Sequence, residues 1–193
     1  LSDPGDVLAL YDKIRLVPFG EYIPLGNWLA EAQIFGLAVN GLHGFSPGVQ
    51  EDLFETHELG RFRILICYEA IFSQSKLKMD TRPFWIAHIT NDAWFGSSAG
   101  PYQHFAAATL RAVEEGLPVV RAANTGISGV IDPYGRVIAS LSLDRVGTLD
   151  TELPMAASAR TLFSILGNII PGILVVLMFS AAEITGRRSH FKN

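Results

Sequence analysis

A single cysteine, Cys67, stands in the 193 residues of the chain, so no disulfide closes within it and no cysteine cluster is available to hold a metal. Five histidines, His43, His57, His88, His104 and His190, are scattered without a helical pair, which argues against a metal centre. Positive charge is not in excess either. A net charge of −4 and a pI near 5.7 leave no electrostatic footprint for nucleic acid. Charged residues make up only 18% and the mean hydropathy is +0.27. That is too apolar for a domain wetted on all sides, so part of the chain is expected to meet lipid. No initiating methionine, signal peptide, internal repeat or low-complexity tract is visible. Asp3-Pro4-Gly5-Asp6 reads as a turn between strands, and the chain is expected to begin inside a domain. Its length is enough for one substantial core, or one core with an appendage.

What the chain does have is the run Ile64-Leu65-Ile66-Cys67-Tyr68-Glu69, apolar up to the thiol and polar after it. Phe62 to Ile66 suits a strand covered on both faces, and Ala70 to Lys78 reads as a helix. A cysteine at such a strand-to-helix turn sits near backbone N–H groups that favour a thiolate. Read alone, the same cysteine also fits a small buried hydrophobe. Glu69 could orient a lysine, set the local electrostatics or cap the following helix.

Taken in order, Val7 to Tyr11 and Ile14 to Val17 read as strands. Pro18 to Pro24 forms a stiff loop that would fix Lys13 and Glu21 in space, although both types are usually solvated. Leu25 to Val39 carries helical spacing around Trp28 and Phe35, whose ordinary place is a core or lipid-facing surface. Leu53 to Leu59 and Phe62 to Ile66, flanking Gly60-Arg61, read as a hairpin feeding Cys67. Phe84 to Thr90 is a further buried strand, and Asn91-Asp92-Ala93-Trp94-Phe95-Gly96 at its end describes a pocket lip. Tyr102 to Glu115 is a helix stopped by Gly116. Val119 to Ala123, Ile127 to Ile131 and Val137 to Leu141 are strands, the last two joined by the turn Asp132-Pro133-Tyr134-Gly135. The alternation favours an α/β layered domain.

Thr161 to Ala182 contains no charged side chain. As one helix it would span about 33 Å against a hydrocarbon core of roughly 30 Å, so a transmembrane helix is expected over 158–186, with a buried core helix as the alternative because Asn168, Pro171 and two glycines dilute the stretch. Arg187, Arg188, His190 and Lys192 follow it, which places residues 187–193 in the cytoplasm and the α/β domain, 1–157, on the other side, the periplasm of a Gram-negative cell.

Several segments together resemble the apolipoprotein N-acyltransferases of bacteria. These are Tyr11-Asp12-Lys13, Leu16-Val17-Pro18-Phe19-Gly20-Glu21-Tyr22-Ile23-Pro24, Ile66-Cys67-Tyr68-Glu69 and Thr90-Asn91-Asp92-Ala93-Trp94-Phe95-Gly96. Gly100-Pro101-Tyr102-Gln103-His104, Arg111-Ala112 and Ile131-Asp132-Pro133-Tyr134-Gly135-Arg136 extend the likeness in order and spacing. The resemblance implies a nitrilase-like α-β-β-α sandwich, here its C-terminal part, at the bacterial inner membrane. It implies a glutamate–lysine–cysteine triad in which Cys67 is the nucleophile and Lys13 the lysine, with Glu21 a further essential glutamate and Tyr68 and Glu69 following the nucleophile. The triad glutamate of the family precedes the lysine motif, so these residues are expected to lack it. Implied partners are a phospholipid acyl donor and a diacylglyceryl apolipoprotein acceptor; no cofactor and no metal is implied. Trp94, Phe95 and Trp28 are candidates for lining the lipid's route, and equally for ordinary packing. Two other readings stay open: a membrane-tethered amidase or nitrilase that passes its acyl group to water, and a truncated, non-catalytic membrane-anchored module.

Overall fold

The computed structural model describes residues 7, 9–24, 44–49, 53–72 and 82–190. They form a mixed α/β unit around a six-stranded sheet whose spatial order follows the chain. Strands β1 (Leu53–Thr56) and β2 (Gly60–Ile66) pair antiparallel, with Thr56 opposite Gly60. The turn falls at residues 57–59, not at Gly60-Arg61, because the Thr56 hydroxyl accepts from the Leu59 amide and Gly60 opens β2 at φ +63°. Strand β3 (Trp85–Asn91) then lies parallel to β2, and β4 (Val119–Asn124) parallel to β3. Strands β5 (Ser128–Ile131) and β6 (Val137–Leu141) finish the sheet antiparallel. The β5–β6 turn is tied by the Asp132 carboxylate, which accepts from the amides of Tyr134 and Arg136.

The parallel step from β3 to β4 needs a crossover, supplied by helix α1 (Gly100–Glu115), which has Pro101 in its first turn and ends at Gly116 in the left-handed region. Ala108 and Ala112 of α1 pack on Leu65, Ile86, Leu117, Val119 and Ile131 to form the core. Strand β3 shows the consequence of period 2: Ile86, His88 and Thr90 are buried, while Ile89 between them is 55% exposed. The described residues therefore supply one sheet and one covering helix of the sandwich that the resemblance implies.

Three expectations need correction. Residues 9–17 form no strand, because the amides of Ile14, Arg15 and Val17 are spent on the carboxylates of Glu69 and Glu21 instead of a neighbouring strand. After β2 the described chain makes a single 3-10 turn, Cys67–Ile71, and leaves it at Phe72; the rest of the helix expected over 70–78, the helix expected over 25–39, and Trp28 all lie outside the described residues. A macrodipole argument for the thiol thus has no long helix to stand on here.

The third concerns the C-terminal stretch. It is not one helix: α2 (Leu162–Leu166) stops at Gly167, φ +56°, and α3 (Ile169–His190) begins after it. The uncharged helical run from Ile169 to Ala182 then covers only about 21 Å, short of a hydrocarbon core of roughly 30 Å. Among the described residues no helix is long and apolar enough to cross a membrane. The topology expected from Arg187 and Arg188 rested on that span.

Candidate active site

Strand β2, an inner strand, delivers Cys67 just past its C-terminal end, and the backbone changes hand there: Cys67 has φ +52°, a conformation uncommon for a non-glycine residue. Its carbonyl is turned inward, 3.0 Å from His88 Nε2 and 3.1 Å from His104 Nε2. The side chain is half-buried.

Two residues on, Glu69 is 2% exposed and works as an acceptor hub. Its Oε1 accepts from the amides of Ile14 (2.8 Å) and Arg15 (2.9 Å), its Oε2 from the amide of Ile66 (2.7 Å), and the Tyr11 hydroxyl donates to both oxygens. Through these bonds Glu69 holds three backbone amides and a phenol. It pins the segment that carries Lys13 against the turn that carries Cys67. Lys13 pairs with Glu21, Nζ to Oε1 at 2.6 Å, while Glu21 Oε2 accepts from the Val17 amide at 2.8 Å. The stiff loop expected between Pro18 and Pro24 closes on itself through Glu21 N to Val17 O (2.8 Å) and Phe19 N to Tyr22 O (2.7 Å). A cleft of about 530 Å³ opens beside it, lined by Ile14, Leu16, Tyr22, Phe45, Pro47 and Phe72, with the Arg15 guanidinium over the Phe72 ring.

Behind Cys67 lies a polar cluster of which sequence reasoning placed only Asp92, as part of a pocket lip. His104 Nδ1 meets Asp92 Oδ1 at 2.8 Å, and Asp92 Oδ2 accepts from Arg121 Nη2 at 2.6 Å. Arg121 Nη1 reaches His88 Nδ1 at 2.9 Å, and Thr90 Oγ1 donates to Asp92 Oδ1 at 3.0 Å. All five side chains are buried. Burial, reinforced by Arg121 and His104, lowers the His88 pKa to about 3, so the ring is neutral. Because Arg121 is a pure donor at Nδ1, the proton of His88 sits on Nε2 and is donated to the Cys67 carbonyl. Burial also pulls the Arg121 guanidinium down, and the adjoining Asp92 carboxylate opposes that shift. The cluster is tight enough to need Gly126, where a Cβ would come within 2.3 Å of Asp92 Oδ2. Its signal in the sequence was a polar residue at every other position of an apolar strand, His88 and Thr90 after Ile86, together with Arg121 after two valines.

The pocket-lip residues divide. Trp94 is 87% exposed and so takes no part in a core among the described residues. Phe95 is half-buried and meets the His104 ring edge-on at 5.7 Å. Tyr68 packs edge-on against Phe72.

The family profile described as carbon-nitrogen hydrolase matches residues 1–161. The chain is 46% identical over 179 residues to the apolipoprotein N-acyltransferase of Rhodopseudomonas palustris, covering 92% of this chain and 33% of that protein. It is 47% identical over 177 residues to the apolipoprotein N-acyltransferase of Bradyrhizobium diazoefficiens, with the same coverages. It thus spans about a third of the length of these curated relatives. Among solved structures, Saccharomyces cerevisiae Nit3, a member of branch 10 of the nitrilase superfamily, aligns at a TM-score of 0.43 and 22% identity over 56% of this chain and 41% of that chain, too distant to bear on the site. With its matched region running through the β2 turn, the sheet and α1, the chain belongs to the carbon-nitrogen hydrolase family, and its similarity within it is to the apolipoprotein N-acyltransferases.

Proposed function

We propose that these residues carry the nucleophile of an acyltransferase that moves a fatty acyl group from a phospholipid, through a thioester on Cys67, to the N-terminal amine of a diacylglyceryl-cysteine. The observation that carries the reading is Cys67 itself, held at φ +52° on a strand end against the segment bearing the Lys13–Glu21 pair. The names of the relatives supply the acceptor class.

In this reading the Cys67 thiol gives its proton to the general base, which later returns it to the leaving alkoxide, the sulfur attacks the ester carbonyl carbon, and the carbonyl electron pair moves onto oxygen. That oxyanion is met by the Lys13 ammonium and the Tyr68 amide, collapses and expels the lysophospholipid alkoxide, which takes up a proton. The amine of the acceptor then attacks the thioester, a general base takes its proton, and the thiolate leaves. The base is the triad glutamate of the family, expected from the part of the relatives that these residues do not span. Glu21 fixes Lys13, and Glu69 holds the Ile14 and Arg15 amides after it and the Tyr11 hydroxyl before it. Both substrates are lipids, so the chemistry belongs at a bilayer surface. The apolar cleft between Ile14, Leu16, Phe45 and Phe72 is a surface suited to an acyl chain.

The test is intact mass of the full-length protein after incubation with phospholipid and no acceptor. A hydroxylamine-labile acyl adduct mapping to Cys67 is expected, and its absence in folded protein would overturn the reading. Adding a diacylglyceryl peptide should discharge the adduct onto the peptide amine; discharge to water alone would make the protein a hydrolase.

A further inference from the structure

The polar cluster behind the thiol touches no surface from which a substrate could be bound, yet it converges on the backbone of the one residue proposed to react. We propose that His88 and His104, braced by Asp92 and Arg121, are positioning residues that lock the Cys67 carbonyl into the core and so aim the Tyr68 amide N–H at the oxyanion. This rests on Cys67 being the nucleophile.

The peptide between Cys67 and Tyr68 is trans, so its C=O and N–H point to opposite sides. Two donors from different elements, His88 on β3 and His104 on α1, hold that carbonyl at 3.0 and 3.1 Å. Turning the peptide over would break both bonds and strand two buried imidazole N–H groups. The rings cannot swivel to follow, because each is fixed at its other nitrogen: His88 by Arg121 Nη1 and His104 by Asp92 Oδ1. Arg121 spans the two arms by also bonding Asp92 Oδ2, and its Nε donates to the Ile127 carbonyl. Thr90 from β3 and the Phe95 ring complete the enclosure. His104 Nδ1 lies against Asp92 Oδ1 at 2.8 Å and Arg121 Nη2 at 3.3 Å, so the ring is held from two sides. The outward direction of the Tyr68 N–H is thereby set before any substrate arrives, which is the preorganisation an oxyanion donor needs.

Two reactions of Cys67 separate this role from general support of the thiol. Acylation by p-nitrophenyl butyrate forms the S–C bond, places charge on the carbonyl oxygen and releases p-nitrophenolate. Alkylation by iodoacetamide displaces iodide at a saturated carbon and forms no oxyanion. In the full-length protein, His104→Leu should slow the p-nitrophenolate burst on the order of 10- to 100-fold and leave alkylation within about twofold. His104→Gln, which can still donate to the carbonyl, should recover most of the loss. Should His104→Leu fail to fold, Asp92→Asn should show the same split at smaller size. Equal loss in both reactions, or an unchanged burst, would overturn the clamp. A wild-type protein that gives no burst at Cys67 would instead remove the nucleophile reading beneath it.

Discussion

Glu69 is the residue whose replacement tests the architecture of the site most directly. Its carboxylate takes three backbone N–H groups and one phenol, and is 2% exposed. Glu69→Gln keeps the volume but puts an NH₂ where an acceptor stood. With the amide oxygen kept at the Oε1 position, facing Ile14 and Arg15, the NH₂ confronts the Ile66 N–H. One buried donor is then left unsatisfied, at about 1–3 kcal/mol, and the remaining bonds lose their charge-assisted part, so a total of about 2–4 kcal/mol is expected. Tyr11→Phe, which removes only the phenol, should cost about 1 kcal/mol. The assay is denaturant unfolding of the purified protein, paired with hydrogen exchange at the Ile14, Arg15 and Ile66 amides. Exchange should accelerate at all three in Glu69→Gln, and thioester formation should fall because Lys13 loses its anchorage. A Gln variant within about 0.5 kcal/mol of wild type, with those amides still protected, would refute the hub.

Other expectations follow from the same contacts. Lys13→Met should change stability by under about 1 kcal/mol, as expected for a partly exposed ion pair, while cutting Cys67 acylation by about 100-fold or more in a burst assay; a loss of stability without loss of rate would reverse that assignment. Cys67→Gly should be neutral or stabilising by about 1 kcal/mol in thermal melts, since glycine relieves the left-handed backbone, and should form no acyl adduct. The lowered pKa of His88 gives a sign: between about 6.5 and about 3 the unfolded chain takes up a proton that the folded ring refuses, so stability falls as pH falls through that window. By pH 5 this single group accounts for about 2 kcal/mol, and the loss of stability between pH 7 and 5 should be shallower in His88→Gln than in wild type. Gly126→Ala should drive the Asp92 carboxylate off its partners, visible as a melting temperature lowered by several degrees.

The strands and α1 were legible because their patterns are local: period 2 in Ile86 to Thr90, helical spacing from Phe105 to Val113, and Gly116 as a stop. The residues between 9 and 17 misled because β-branched and apolar side chains describe a strand equally well when the backbone is paired with carboxylates far along the chain, as Ile14 is with Glu69. The C-terminal stretch misled because absence of charge says nothing about helix continuity, and Gly167 interrupts it. Lys13, Glu21 and Cys67 were singled out through motif words and spacing. His88, Asp92, His104 and Arg121 were not read as one cluster, Asp92 only as pocket lip and His104 only as a motif word, because no two of them are neighbours in sequence; only the parallel pairing of β2, β3 and β4 under α1 brings them to one point.

Helix α1 touches the site at one end and the C-terminal segment at the other. His104, in its second turn, bonds the Cys67 carbonyl; Glu114, near its end, accepts from the Thr161 hydroxyl that caps α2, and Arg82 ties Gly116 to Ala157 beside it. From His104 to Glu114 is about 15 Å of axis. The helix is therefore a strut of fixed length between the thiol and the root of the exposed apolar helix α3. The Cys67 sulfur is held at a set standoff from that root, and lengthening or shortening α1 by one turn would move it by about 5 Å.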